Sequence, residues 1–283
     1  NGQRLGLTGQ FQAVQWASIS LASILVGVGG GWLAQHKPLS VTFLIATCFP
    51  VITLTMGIFL IREPRGQLSE RQFRETWAAI RGAAGSRTLW AVAGFIFFYN
   101  FSPSFGPALV YYATDVLEFS KIFLGTLDSL SYASGIVGTA LYFAFSKSFP
   151  LRHLIHFAIA AGVIATLAYL GYRGQLSAVV LSLLFGGVAM FIQLTFLDLA
   201  ARACPRQAEA TFFALLMSVY NGAVQLSQIT GGWLYGVVGF TRLIFISAGF
   251  TAVCWFMVPL LKLQELERTG REEVPVSPHS TGS

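Results

Sequence analysis

Charge is what this 283-residue chain has least of: Asp, Glu, Lys and Arg together make up only 11% of it. A soluble domain carries about 25%. Twelve residues are acidic and four are histidine. That leaves little material for an enzyme built on paired acids or on clustered metal ligands. Cysteine is scarcer still, with three residues. Cys48, Cys204 and Cys254 are scattered without a C-x-x-C spacing, so neither a disulfide framework nor a zinc site follows from them. They read as small apolar packing residues. The sequence has no P-loop lysine motif and no His-Glu-x-x-His, the signatures of direct ATP use and of a common zinc hydrolase. No cofactor and no metal are expected.

What the chain does have is apolar length. It is 54% hydrophobic, with a mean hydropathy of +0.65. Several runs reach the ~18–20 residues needed to cross a bilayer. Eight candidate spans fall at roughly 10–34, 40–62, 88–112, 121–146, 151–172, 176–200, 208–236 and 241–263. They are expected to be helices, because a backbone in lipid must satisfy its own hydrogen bonds. Breakers punctuate the connections: His36-Lys37-Pro38, Ser148-Phe149-Pro150, Tyr172-Arg173-Gly174 and Cys204-Pro205. The sequence opens at Asn1, with no charged-then-apolar leader before the first span, and reads as a fragment.

The one substantial loop runs from Arg62 to Arg87. Ser69 and Gln72 have capping-box spacing. Phe73, Trp77, Ile80 and Ala84 then recur at helical spacing, with Arg71, Arg74, Glu75 and Arg81 on other faces. A short helix lying on the membrane surface is expected there. Residues 264–283, which end in Pro, Ser, Thr and Gly, are expected to be a disordered tail. With the 62–87 loop in the cytoplasm, alternating spans put fourteen of the eighteen basic residues on that side. Only Lys37, Lys121, Arg173 and Arg242 fall outside. The net charge of +6 is therefore a topology signal. It calls for a lipid bilayer and no nucleic acid. The protein is placed in the inner membrane as a multi-pass chain with both termini cytoplasmic.

The segment from Phe212 to Leu261 is a faint second copy of Phe11 to Leu60. At an offset of 201, Phe11, Ala13 and Ala22 meet Phe212, Ala214 and Ala223. Gly30-Gly31-Trp32-Leu33 meets Gly231-Gly232-Trp233-Leu234, and Ile45, Phe49, Met56 and Leu60 meet Ile246, Phe250, Met257 and Leu261. Similarity at a long fixed offset marks a duplicated unit. Four spans lie between the copies, so four should precede the first. The expected fold is an all-α transmembrane protein of the major facilitator type, made of two six-helix halves. The eight spans are then helices 5–12 of a twelve-helix protein. Residues 1–62 hold the last two helices of the N-terminal half, and 63–87 the cytoplasmic central loop. Residues 88–263 form a complete six-helix C-terminal half.

Two stretches resemble the folate–biopterin transporter family within that superfamily. One is Ala200-Ala201-Arg202-Ala203-Cys204-Pro205, continued by Glu209-Ala210-Thr211-Phe212-Phe213-Ala214-Leu215-Leu216-Met217-Ser218 and Asn221. The other is Ser102-Pro103-Ser104 with Tyr111-Tyr112, Leu117, Phe119-Ser120 and Phe123-Leu124-Gly125. Together they cover about a quarter of the chain. The connection Phe145-Ser146-Lys147-Ser148-Phe149-Pro150-Leu151-Arg152 lacks the Asp-Arg-Gly-Arg type of loop common elsewhere in the superfamily. The resemblance implies a secondary transporter of a small organic solute, a folate or a pterin, and the intramembrane acid described below adds the expectation of a proton as coupling ion. A carrier of another solute, of efflux or sugar type, or a non-transporting membrane subunit are the alternatives. A monomer is expected.

Ionisable groups inside a membrane are costly and are functional candidates for that reason. Asp128 is the one acid deep in a span, about seven residues past Lys121 and so roughly 10 Å below the interface. Ser131, Tyr132, Gly135 and Thr139 follow at three- and four-residue steps and are expected to extend one polar stripe. Asp128 would couple to a proton or bind solute, against the plainer reading of a carboxylate held by nearby hydroxyls. Asn100, Ser104, Pro107 and Tyr111 share a face of a span whose ladder Pro103 and Pro107 break. They would line a cavity, against a simple kink with Asn100 bonded to a neighbouring helix. Ser218, Asn221, Gln225 and Gln228 form a third stripe that the first copy lacks, its mates being Ala17, Ser20, Ile24 and Gly27. The duplicated fold does not require that stripe, which favours cavity lining over interhelical bonding. Gln12, Gln15 and Trp16 are weaker candidates. Asp198 and Arg202 read as a local i, i+4 pair. Gly27-x-x-x-Gly31 and Gly232-x-x-x-Gly236 read as close-packing stripes.

Overall fold

Every regular element in the described part of the chain is helical. The computed structural model describes residues 8–60, 74, 77–78, 81–82, 85–204 and 209–261, with side chains described from residue 18 and omitted at 147, 209 and 210. Helices α1 (Thr8–His36) and α2 (Leu39–Leu60) form the first pair. After the loop come α3 (Arg87–Asn100), a short α4 (Gly106–Tyr111) and a π-helical turn (Tyr112–Val116). Then follow α5 (Lys121–Ser148), α6 (Leu151–Ala168) with a 3-10 turn to Gly171, and α7 (Gln175–Ala203). The last pair is α8 (Glu209–Val238) and α9 (Phe240–Val253), the latter prolonged by a 3-10 stretch from Cys254 to Leu261.

Two starts are capped by serine. The Ser86 hydroxyl accepts from Leu89 N at 3.3 Å, and that of Ser120 accepts from Phe123 N at 3.1 Å. Gly239 alone turns α8 into α9 at a φ of 77°, a left-handed backbone that a Cβ would strain.

Among the described residues, six helices are long and apolar enough to cross a membrane. Two of the eight expected spans fall outside that set, for different reasons. The span at 88–112 is split: α3 stops at Asn100 and α4 restarts at Gly106, with Pro103 in the gap and Pro107 just past the restart. A proline cannot donate to the ladder and crowds the preceding turn. The span at 121–146 is one unbroken helix of 28 residues, but Lys121, Asp128 and many hydroxyls dilute it.

The duplication extends to element boundaries. An offset of 201 carries Thr8–His36 to 209–237 and Leu39–Leu60 to 240–261; the observed elements are Glu209–Val238 and Phe240–Leu261. In the central loop, Arg74, Trp77, Ala78, Arg81 and Gly82 are helical and exposed. The tail from residue 264 and the proposed cap at Ser69 and Gln72 lie outside the described residues.

Packing differs from that of a soluble core, because lipid is as apolar as leucine and small residues must bring helices together. The α5–α7 contact is built that way: a Cβ on Gly138 would run into the carbonyl of Gly187, and one on Gly186 into that of Ser131. The α1–α5 contact repeats the device. A Cβ on Gly31 would lie 2.7 Å from Lys121 O, and one on Gly27 2.8 Å from Gly125 O.

The expected Gly232–Gly236 stripe does not act this way, since a Cβ on either would meet nothing within 4 Å. Gly231 makes the close contact instead, against the carbonyl of Ser104. One copy therefore packs on a continuous helix and the other on a broken one. The largest apolar cluster joins α3, α6, α7, α8 and the 3-10 stretch through Phe95, Ile155, Leu199, Leu216 and Leu261. No residue of α2 is buried.

The cysteines are dispersed: Cys48 is exposed, Cys204 half-buried and Cys254 buried. Their thiols donate to carbonyls one turn back, Cys204 to Ala200 at 3.1 Å and Cys254 to Phe250 at 3.9 Å. Asp198 and Arg202 form the expected local pair, with Arg202 Nε and Nη2 each 2.9 Å from a carboxylate oxygen. On α6, His156 Nδ1 pairs with Trp255 Nε1 at 3.1 Å, which ties this helix to the 3-10 stretch.

Candidate functional site

The broken span explains a polar cluster that the sequence does not announce. Interrupting a helix frees backbone groups that lipid cannot satisfy. Here neighbouring hydroxyls and carbonyls take them up. Ser104 N donates to Ser227 O of α8 at 3.1 Å, and the Ser227 hydroxyl donates to Ser102 O. The Ser102 hydroxyl donates to Ser247 O of α9 at 2.9 Å and lies 3.1 Å from the Thr251 hydroxyl. Ser227, Ser247 and Thr251 are all buried. The break is thus bonded to two helices at once, and Gly231 leaves room for the Ser104 carbonyl against α8.

Beside this joint opens a polar cavity of about 260 Å³, lined by Tyr99, Asn100, Ser104, Thr166 and Gln228 among others. Asn100 Nδ2 donates to Ile96 O of its own helix at 2.7 Å, not to a neighbouring helix. Ser104 Oγ accepts from Gly106 N at 3.1 Å and so starts α4.

A second cavity, of about 530 Å³, lies along the α1–α5 seam. Ser23, Gly27, Gly30 and Gly31 form its α1 wall; Lys121, Asp128 and Tyr132 form its α5 wall, and Val110 of α4 closes a side. Three polar contacts pin the seam. Ser129 Oγ donates to Ile24 O at 2.8 Å, Lys121 Nζ donates to Ala34 O at 3.1 Å, and Ile122 N donates to Gln35 Oε1 at 3.2 Å. An amine on the last carbonyls of α1 also suits the negative end of that helix.

The three expected stripes are therefore only partly assembled. Asp128 and Tyr132 share the seam cavity, while Asn100, Ser104 and Gln228 share the joint cavity. Tyr111, Asn221 and Gln225 are exposed and line neither. Ser218 donates to Ala214 O of its own helix. The stripe on α5 splits: Ser131 Oγ donates to Ser182 O of α7 at 3.3 Å, and a Cβ on Gly135 would touch Met190. Steps of three and four fan over a wide arc of the helix, so half of this stripe turns to α7 and half to α1. Gln12, Gln15 and Trp16 lie outside the described side chains.

Four residues at these sites carry roles that the sequence reading missed: Lys121, Ser227, Ser247 and Thr251. The one available signal was a set of small hydroxyls on spans flanking a proline-broken one.

Comparisons with known proteins bear on what such cavities serve. The sequence pattern of the BT1 family matches residues 3–261. A folate-biopterin transporter of Synechocystis sp. is 26% identical over 302 residues, covering 98% of this chain and 60% of its own length. Folate transporter 2 of Plasmodium falciparum is 24% identical over 215 residues, 72% of this chain and 47% of that protein. Folate transporter 1 of the same organism is 24% identical over 202 residues, 68% of this chain and 40% of that protein. The chain spans between 40% and 60% of the length of these three relatives.

Proposed function

Because this chain belongs to the BT1 family, we propose that it is part of a secondary transporter that moves a folate or a pterin across a membrane, with a proton as the coupling ion. The observation that carries this is the seam cavity. It is lined by Asp128, the one acid deep in a described span, and lies between α1 of the first helix pair and α5 of the helices that follow. A carrier that alternates access does so by moving one half against the other around such a site. In this proposal eight spans are present, as helices 5–12 of two six-helix halves in the inner membrane, with both termini cytoplasmic and the protein monomeric. The matching boundaries of the two helix pairs support that layout.

The proposed recognition follows from ligand chemistry. A pterin offers an amino-pyrimidinone edge that donates two parallel hydrogen bonds, which a carboxylate accepts side by side. Asp128 is given that edge, or the coupling proton. In the substrate-bound state proposed here, Asn100 and Gln228 of the joint cavity and the exposed Asn221 and Gln225 of α8 are brought to further ring atoms, and Tyr111 or Tyr132 stacks on the flat face. Folate adds a glutamyl tail whose carboxylates need a cation. Lys121 stands on the cavity wall near the membrane boundary and supplies one.

Uptake of labelled pterins and folates by cells expressing the full-length protein tests the reading. A protein that moves neither class is not the transporter proposed. Within it, Asn221→Ala and Gln225→Ala should each weaken inhibition by simple pterins and by folate alike, by about fivefold for a lost hydrogen bond. Weakening for folate alone would take both residues off the ring. Lys121→Gln should weaken folate roughly tenfold, as expected for a lost charged hydrogen bond, and leave simple pterins unchanged. An equal loss for both classes would reduce Lys121 to a tie across the α1–α5 seam.

A further inference from the structure

An apolar groove of about 490 Å³ lies between α5, α6 and α7, away from both sites above. Val137, Leu141 and Phe145 of α5, Phe157 of α6, and Leu184 and Val188 of α7 form its walls. Val137, Phe157 and Leu184 are more than half exposed, so the groove opens sideways from the bundle. Among the described residues its polar members are Ser134 and His153. The Ser134 hydroxyl is already engaged, donating to Leu183 O and accepting from Gly187 N at 3.1 Å. A small polar solute would need several placed hydrogen-bonding groups, and the depth of this groove offers none.

Its dimensions and ends point elsewhere. On α5 the lining runs from Ser134 to Phe145 and continues to Phe149, a rise of about 22 Å at 1.5 Å per residue. One leaflet with its headgroups is about 20–22 Å deep. The Phe149 end is where the basic residues gather. Arg152 and His153 open α6, and both are exposed.

We propose that this groove holds one acyl chain of an anionic phospholipid, with the phosphate at the Arg152–His153 end. The apolar wall takes the chain. A surface cation supplies the selectivity, and each one favours an anionic lipid by roughly fivefold. Gly138 and Gly187 give the groove its floor, because side chains there would separate α5 from α7. The proposal needs only the membrane setting and stands apart from what the protein transports.

The test places a reporter tryptophan in the full-length protein, at Leu184→Trp inside the groove or at Ile164→Trp, which is exposed on α6 and not among the groove residues. Each is reconstituted in phosphatidylcholine vesicles doped with brominated phosphatidylglycerol or brominated phosphatidylcholine. Quenching of the added fluorescence, relative to the parent protein, is measured for both. At 184 the brominated phosphatidylglycerol should be effective at a several-fold lower fraction. At 164 the two lipids should act alike. Adding Arg152→Ala with His153→Ala should erase the preference at 184 while quenching by phosphatidylcholine persists.

Equal quenching by both lipids at 184, or a preference untouched by the double substitution, overturns the proposal. So does an absence of quenching at 184, which would mean that water or another protein occupies the groove. Mass spectrometry of the unsubstituted protein, released from detergent with its bound lipid, provides a check independent of any variant. It should retain phosphatidylglycerol in preference to phosphatidylcholine, and the reverse order overturns the assignment.

Discussion

Asp128→Asn should abolish proton-driven accumulation of substrate while the protein still reaches the membrane in normal amount. Asparagine keeps the shape of the side chain and its capacity to hydrogen-bond, but it cannot pick up and release a proton. Position matters as much as chemistry. Asp128 lines the seam where α1 meets α5 through glycines and three polar ties, and Lys121 lies on the same wall. A charge that appears and disappears there changes the electrostatics of the α1–α5 contact, and by favouring one arrangement of that contact a proton biases alternating access. Facilitated movement down a gradient should survive the substitution, because the cavity remains. The measurement is uptake against a gradient at several external pH values, beside equilibrium exchange. Undiminished accumulation with an unchanged pH profile would remove Asp128 from coupling.

Gly125→Val should lower the unfolding temperature of the purified protein by roughly 2–12 °C, or prevent its recovery. Gly125 is buried in the α1–α5 contact, and any Cβ there would overlap the carbonyl of Gly27. Backbone on both sides blocks a local escape, so the helices must part. Overpacking of this kind costs about 1–3 kcal/mol, and each kcal/mol is worth roughly 2–4 °C in a chain of this size. Parting them also undoes the bonds from Ser129, Lys121 and Gln35. Gly29→Val is the control. It makes the same change in the middle of α1, where a Cβ meets nothing within 4 Å. Similar losses in both variants would show that valine's helix propensity, and not the seam, is responsible.

Sequence alone determined that the chain is a membrane protein with a duplicated helix pair, because both facts are one-dimensional. Apolar length sets which segments can cross a bilayer, and an offset of 201 places Gly30-Gly31-Trp32-Leu33 against its second copy without reference to space. The observed helix boundaries follow that offset to within one residue. The local pair of Asp198 and Arg202 was legible for the same reason, since four residues along a helix is a fixed distance.

The tertiary structure decided everything that depends on which helix lies opposite which. Gly31 and Gly231 sit in matching motifs, yet Gly31 meets an intact helix at Lys121 and Gly231 meets the broken joint at Ser104. The α5 stripe read as one face, but Ser131 turns to α7 while Asp128 turns to α1. Ser227, Ser247 and Thr251 are unremarkable in sequence. Only the gap between α3 and α4 gives them work, because a helix opened inside lipid leaves donors and acceptors that only neighbouring helices can satisfy. Periodicity fixes the direction in which a side chain points around its own axis, and only packing supplies what it points at.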